Sequence, residues 1–109
     1  MPRQDSALLP GTLEMLVLRT LDVEPMHGYA IAQHITRLSK DALRVEEGSL
    51  YPALQRMLVK GWVRAAWRTS ATKRRTRVYT LTAAGRTQLG VAHSNFQTMF
   101  AALARVMKG

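Results

Sequence analysis

The chain has 109 residues, enough for one domain, and 47% of them are hydrophobic, which supplies a modest core. It contains no cysteine, so disulfide bonds, cysteine-ligated zinc and thiol nucleophiles are excluded. The formal net charge is +9; all seven acidic residues precede Gly48, whereas residues 48–109 hold eleven Lys and Arg side chains. This asymmetry favours a polyanionic partner, although a basic surface kept only for solubility has the same composition.

Signals for targeting, membrane insertion and catalysis are missing from the sequence. Residues 1–6 lack the apolar run of a signal peptide, and no segment reaches the roughly 18 apolar residues that span a bilayer. We therefore expect a soluble, cytoplasmic protein without a membrane partner. No hydrolase, phosphate-loop or zinc-peptidase motif is present, so we expect no enzyme, no catalytic residue and no cofactor. His27 and His34 indicate capping or surface histidines more than a metal site, because cysteine is absent and carboxylates are few nearby.

Two short helices are predicted at the start of the chain. Apolar residues recur at helical spacing from about Leu8 to Leu21, and Pro10 is tolerated only in a first turn, so this helix begins near Pro10. Pro25 then interrupts the pattern. Residues 28–38 resume it as a second helix. The residues expected to point inward from this second helix are Ile31, Ile35 and Leu38.

A third helix is predicted between the polar link at residues 39–47 and Gly61, which ends it. Ser49 is the expected N-cap, and Pro52 then lies in the first turn, where its missing N–H costs nothing. One face of this helix is apolar and comprises Leu50, Leu54, Met57 and Leu58. The rest of the surface is small, polar or basic.

A β-hairpin is predicted after the third helix. Val63, Ala65 and Trp67 point one way, while Arg64 and Arg68 point the other, which is the alternation of a strand. A second run covers residues 77–81. The tip between the two runs is basic and contains Lys73, Arg74 and Arg75.

The last predicted helix follows Thr82, its expected N-cap, and bears a long apolar seam. Between Arg86 and Arg105 it has no charged residue, so we expect another surface to cover it. Pairing with a second copy about a two-fold axis is the simplest cover, and folding back onto its own domain is the alternative. The residues expected in the dimer seam are Leu89, Ala92, Phe96, Met99, Phe100, Leu103 and Val106.

Helix, helix, helix, hairpin and helix, in this order, predict a mainly α winged helix-turn-helix with a C-terminal dimerisation helix. Residues 1–82 would form the DNA-binding domain, and residues 83–109 the dimerisation helix of the same compact unit. Gln55 suits adenine and Arg56 suits guanine, while Pro52 or Ala53 suits a thymine methyl. The expected duplex-DNA contacts are Ser49, Tyr51, Pro52, Gln55, Arg56, Lys73, Arg74, Arg75 and Arg77, joined on the paired strand by Arg64 and Arg68.

The chain also resembles the PadR family of transcriptional regulators, of the short type with one C-terminal helix. The resemblance rests on residues 25–29 (PMHGY), on residues 46–54 (EEGSLYPAL), and on a later set of shorter matches. The later matches are Arg74-Arg75, Tyr79, Leu81-Thr82 and Gly85-Arg86. The resemblance implies a dimeric repressor that binds a palindromic operator through the segment around Tyr51 and the wing tip at residues 73–75. It also implies that a ligand releases the repressor from the operator.

Other interpretations of the sequence stay open. A basic module for RNA or the ribosome would share the charge without needing a helix shaped for a DNA groove. A protein-interaction adaptor would use the apolar last helix alone. Several apolar side chains are candidates for an effector pocket between subunits, suited to a small hydrophobic compound, or else for plain core. These are Trp62, Trp67, Phe96, Phe100 and several methionines.

Overall fold

A computed structural model describes residues 11–109 as four helices and a three-stranded sheet, the mainly α winged-helix architecture that the sequence predicts. The start predicted for the first helix, between Leu8 and Pro10, lies outside the described residues. The elements in chain order are α1 (Thr12–Val23), β1 (Met26–His27), α2 (Gly28–Leu38), α3 (Glu47–Val59), β2 (Val63–Thr69), β3 (Arg75–Leu81) and α4 (Ala83–Lys108).

The sheet has the order β1-β3-β2, and both pairings are antiparallel. β2 and β3 form the predicted hairpin, in which β3 begins at Arg75, two residues before the predicted start. β1 was not predicted, because two residues are too short to show alternation. It pairs Met26 with Tyr79 and thereby joins the chain before α2 to the base of the hairpin.

α2 has the predicted bounds, and its N-terminus is capped by the ring of His27, whose Nδ1 accepts a hydrogen bond from the Ala30 N–H at 3.2 Å. Ile31 and Ile35 are buried as predicted. The prediction that Leu38 points inward is wrong, since 68% of its surface is exposed. Leu38 is the last residue of α2 and lies beyond the edge of the core.

α3 begins earlier than predicted. The carbonyl of Glu46 accepts hydrogen bonds from the N–H groups of Ser49 and Leu50 at 3.0 and 2.9 Å, so Glu46, and not Ser49, is the N-cap residue. Pro52 consequently lies inside the helix and not in its first turn. The carbonyl of Gly48, which would accept the N–H that proline lacks, belongs to an exposed residue that water can reach.

The core lies where α1, α2, α3 and the base of the hairpin meet. It is contiguous and almost entirely aliphatic, with Tyr79 as its aromatic member. Leu58, predicted to be inward, is partly buried against it. The buried apolar residues are Val17, Leu18, Leu21, Ile31, Ile35, Leu50, Ala53, Leu54, Met57, Val63, Tyr79 and Leu81.

The start of α4 is fixed firmly to this core. The Thr82 hydroxyl donates to the Gly61 carbonyl at 2.6 Å and accepts from the Gly85 N–H at 3.0 Å, which confirms Thr82 as the N-cap. Gly85 is buried against the carbonyl of Trp62, and Arg86 pairs with Asp22 of α1 at 3.2 Å. Within residues 11–109, no helix has the length and apolar character needed to cross a bilayer.

Candidate nucleic-acid interface

The exposed face of α3 has a narrow centre and two different flanks. Gly48, Pro52, Gln55 and Val59 recur at intervals of four, three and four residues, so they lie in one line along the helix. We call these four residues the outer stripe. All of them are exposed, and they lie opposite the buried side of the helix.

The predicted contact residues of α3 are all exposed, namely Ser49, Tyr51, Pro52, Gln55 and Arg56. Ala53, the alternative partner for a thymine methyl, is 0% exposed. That prediction is wrong, because Ala53 lies on the same side of the helix as Leu50 and Leu54 and packs into the core. Pro52, which is exposed, is therefore the remaining candidate for the thymine methyl contact.

Tyr51 lies on the flank of α3 that faces the hairpin. Its ring is so close to Gly28 that a Cβ at position 28 would lie 2.7 Å from the phenol oxygen. Partial burial raises the pKa of the Tyr51 phenol above its usual value, and the Glu47 carboxylate and Tyr79 raise it further. The phenol is therefore protonated at neutral pH and is able to donate a hydrogen bond.

Arg56 lies on the other flank and is tied to α1. Its Nε and Nη2 donate to one oxygen of Glu14, Oε2, at 3.2 and 2.9 Å. The Glu14 side chain is 19% exposed, and that of Arg56 is 54% exposed. Sequence reasoning missed this partner because 42 residues separate the two. The structure therefore does not bring Arg56 together with the cations of the hairpin.

The hairpin has a short tip at residues 70–74. The Ser70 N–H donates to the Arg74 carbonyl at 2.9 Å, and the Lys73 N–H donates to the Ser70 carbonyl at 2.8 Å. Lys73 has φ 61°, the left-handed conformation, which turns the chain back towards β3. Lys73, Arg74 and Arg75 are all exposed, as predicted for a basic tip.

The two faces of the hairpin carry different arginines. Trp67 pairs with Arg77, and Thr69 with Arg75, so these side chains share the face that continues from the core. On this inner face, the Arg75 guanidinium lies 5.0 Å from the Trp67 ring centre. Arg64 and Arg68 alternate to the opposite, outer face. The arginines predicted to contact phosphates therefore lie on two opposite faces of the hairpin.

A cleft of about 680 Å³ lies between the inner face of the hairpin and the facing ends of α2 and α3. None of the described residues that line it is acidic. Tyr29, 57% exposed, and Trp67, 59% exposed, add aromatic surface that sequence reasoning did not assign to the site. The principal lining residues are Tyr29, Tyr51, Trp67, Arg74, Arg75 and Arg77.

α4 behaves in two ways along its length. Leu89 packs against the core of its own domain and Ala92 is partly buried, so the start of the predicted seam folds back onto α1. The rest of the seam is exposed, from 43% at Phe96 to 76% at Val106. Phe96 and Phe100 stack with ring centres 6.0 Å apart. Folding back therefore holds for the start of α4, whereas the rest of the seam is uncovered within residues 11–109.

A groove of about 470 Å³ runs between α1 and α4. Trp62, Phe96 and Met99 line it together with Glu14, whereas Trp67 lies in the basic cleft. The structure thus does not bring the two tryptophans into one pocket. In the part of the chain described, no three His, Asp or Glu side chains gather in a group that fits a metal ion.

Three helices with a β-hairpin beside the third define a winged helix, a fold that places one helix in a DNA groove. A model of the transcriptional regulator PadR-like family matches residues 17–91, and the chain belongs to this family. Proteins of the family are transcriptional regulators and not enzymes.

Solved structures share the whole fold. A transcriptional regulator from Clostridium thermocellum has a TM-score of 0.81 at 20% identity, covering 87% of this chain and 92% of its own. A PadR family transcription regulator from Clostridium difficile has a TM-score of 0.75 at 22% identity, covering 87% and 97%. One from Eggerthella lenta has a TM-score of 0.75 at 27% identity, covering 89% and 82%. A Lysinibacillus sphaericus protein of unassigned function is 25% identical over 84 residues, 77% of each chain.

Proposed function

We propose that this PadR-family regulator binds duplex DNA as a homodimer, with α3 in the major groove and the hairpin along the backbone of the DNA. The observation that carries the proposal is the basic cleft, which shares Tyr51 with the exposed face of α3. A duplex docked on that face meets the inner-face arginines, and the Glu47 carboxylate near Tyr51 lies beside the cleft and not among its lining residues. The regulator then acts in the cytoplasm, where the chromosome lies.

The contacts divide by chemistry. Ser49, Tyr51, Pro52 and Gln55 lie on exposed α3 and are the candidates for base edges and nearby phosphates. The hairpin cations are the ammonium group of a lysine and the guanidinium groups of arginines on flexible side chains. They suit phosphate contacts and not the reading of base sequence. Those on the tip and inner face are Lys73, Arg74, Arg75 and Arg77.

The homodimer follows from the exposed part of the α4 seam. Phe100, Leu103 and Val106 are each more than half exposed in the single chain, a large apolar surface for a monomer. A second copy placed about a two-fold axis covers the same residues on both helices. Two recognition helices then address half-sites about 34 Å apart on a palindromic operator, where the bound dimer represses by blocking transcription.

The groove between α1 and α4 is the proposed effector site. Trp62, Phe96 and Met99 offer an apolar and adaptable surface for a small hydrophobic compound. Because this groove adjoins the seam, a bound compound would change how the two subunits pack and so the spacing of the α3 helices. Release from the operator would follow from that change.

A matched pair of variants tests the DNA-binding surface. Arg75→Gln with Arg77→Gln removes two charges from the inner face, and Arg64→Gln with Arg68→Gln removes two from the outer face. Binding to one duplex is measured by fluorescence anisotropy across a salt series, with circular dichroism as the check of folding. Because the double substitution removes two charges from each subunit, the inner pair should lower the salt slope by about 4 for the bound dimer, and the outer pair should leave it near that of the parent. Equal effects of the two pairs would contradict the proposed docking.

A further inference from the structure

The outer stripe of α3 has an unusual chemistry for a surface meant to enter the major groove. Gly48 has no side chain, and Pro52 and Val59 are apolar, so Gln55 is the one residue of the stripe whose side chain forms hydrogen bonds. Val59 is 83% exposed, which is unusual for a branched apolar side chain. Pro52, Gln55 and Val59 line a shallow, mostly apolar depression on the helix surface, at whose edge Arg56 and Lys60 also lie.

Arg56, the candidate for contacting guanine, is poorly placed to reach a base edge in the major groove. One residue after Gln55, it projects about 100° further round the helix, towards α1. Both hydrogen bonds to Glu14 hold it there. Among the described residues, Arg56 is the one cation within ion-pair distance of Glu14. A move of Arg56 to a base edge would break both hydrogen bonds to that largely buried carboxylate and leave its charge beside a polyanion.

We propose that α3 reads A·T pairs: Gln55 hydrogen-bonds an adenine, Pro52 and Val59 contact thymine methyl groups, and Arg56 is a positioning residue that holds α3 to α1. This inference rests on the proposed docking of α3 in the major groove. There the amide of glutamine matches N6 and N7 of adenine, and the 5-methyl of thymine is the apolar group that the bases present. The half-site therefore centres on a short run of A·T pairs and contains no guanine selected by Arg56.

The test begins with selection of duplexes from a randomised pool by the full chain, followed by dissociation constants for the selected duplex. Replacing each thymine by deoxyuridine removes only the 5-methyl group. Loss of one buried methyl contact should weaken binding about fourfold at the positions that Pro52 or Val59 touches. In Val59→Ala, the same deoxyuridine substitution should have a smaller effect at one of those positions.

Two variants distinguish the roles of Gln55 and Arg56 in base recognition. Gln55→Ala should lose the preference for adenine at one position, a change of about tenfold or more. Arg56→Met keeps the aliphatic part of the side chain and should select the same sequence; because it loosens α3 from α1 without removing a base contact, it should weaken binding to all duplexes in the same proportion. Thermal melting checks that both variants fold.

The outcomes distinguish this inference from the proposed function. A selected guanine whose preference disappears in Arg56→Met would overturn the inference, as would equal binding of thymine and deoxyuridine duplexes at every position. Either result leaves DNA binding itself standing. If the parent chain enriches no sequence at all, the proposed function fails and the inference fails with it.

Discussion

The ring of Tyr51 on α3 lies against Gly28, the first residue of α2, with no room for a methyl group between them. This contact sets where the phenol stands at the mouth of the basic cleft. Because the Tyr51 ring is 42% exposed, it is able to move aside and does not have to break the core. The pair therefore couples helix packing to the proposed DNA surface.

Gly28→Ala should consequently affect DNA binding more than folding. We expect a stability loss of about 1 kcal/mol by urea denaturation, and a clear loss of DNA affinity as the phenol is displaced. In a Tyr51→Ala background the methyl group has space, so adding Gly28→Ala should change neither quantity further. Additive losses in the double variant would show that the contact does not carry the effect.

Gly85 packs against a neighbour that cannot move aside. A Cβ at this position would overlap the backbone carbonyl of Trp62, which no side-chain rotation relieves. Gly85→Ala should therefore cost about 1–3 kcal/mol, or more, in urea denaturation. Gly90→Ala, in the same helix with open space around it, is the control and should stabilise by about 1 kcal/mol. Similar effects of the two substitutions would refute the close approach of α4 to the loop before β2.

The exposed seam of α4 predicts the oligomeric state. A charge at its centre, Phe100→Glu, should convert a dimer at micromolar concentration into a monomer, because a carboxylate is costly to bury without a partner. Thr98→Glu introduces the same charge on the other side of α4 and should remain dimeric. Light scattering measures the molar mass of the parent chain and of both variants. A monomeric mass for the parent chain would contradict the proposed homodimer.

Glu14 restrains Arg56 and carries a negative charge near the proposed interface. Glu14→Gln should therefore raise the affinity for random duplex several-fold at low salt, and increase the salt slope by up to about 1 per subunit, or about 2 for the dimer, as Arg56 becomes free to meet a phosphate. Glu24→Gln makes the same change of charge at the far end of α1. Anisotropy titrations compare the two variants, and an identical gain from both would mean that net charge alone is responsible.

Much of the fold was predictable because the periodicity of apolar residues within short segments indicates helices and strands. Residues 28–38 and residues 63–68 are each long enough to show a period, of helical spacing in the first segment and of strand alternation in the second. β1 has two residues and exists only through its pairing with Tyr79. The start of α3 was misplaced because Ser49 and Pro52 are typical of a first turn, yet the backbone begins the helix at Glu47.

The site was predicted as a set of residue types and less well as an arrangement. The exposed polar face of α3 and the basic tip follow from sequence alone. The division of the hairpin arginines between two faces depends on a register that extends β3 to Arg75. The pairing of Arg56 with Glu14 joins residues far apart in the chain. Alternation in sequence shows that Arg64 and Arg68 share a face, but the pairing of Arg56 with Glu14 leaves no trace in spacing or composition.

The central claim is specific recognition of duplex DNA. The most direct measurement is anisotropy of the purified chain with the DNA upstream of its own gene, against random duplex and structured RNA, from about 50 to 200 mM salt. We predict tighter binding to the upstream fragment at every salt concentration, with a loss of roughly 10³-fold or more across the series. Equal and weak binding to all three nucleic acids, or a preference for the RNA, would contradict the claim.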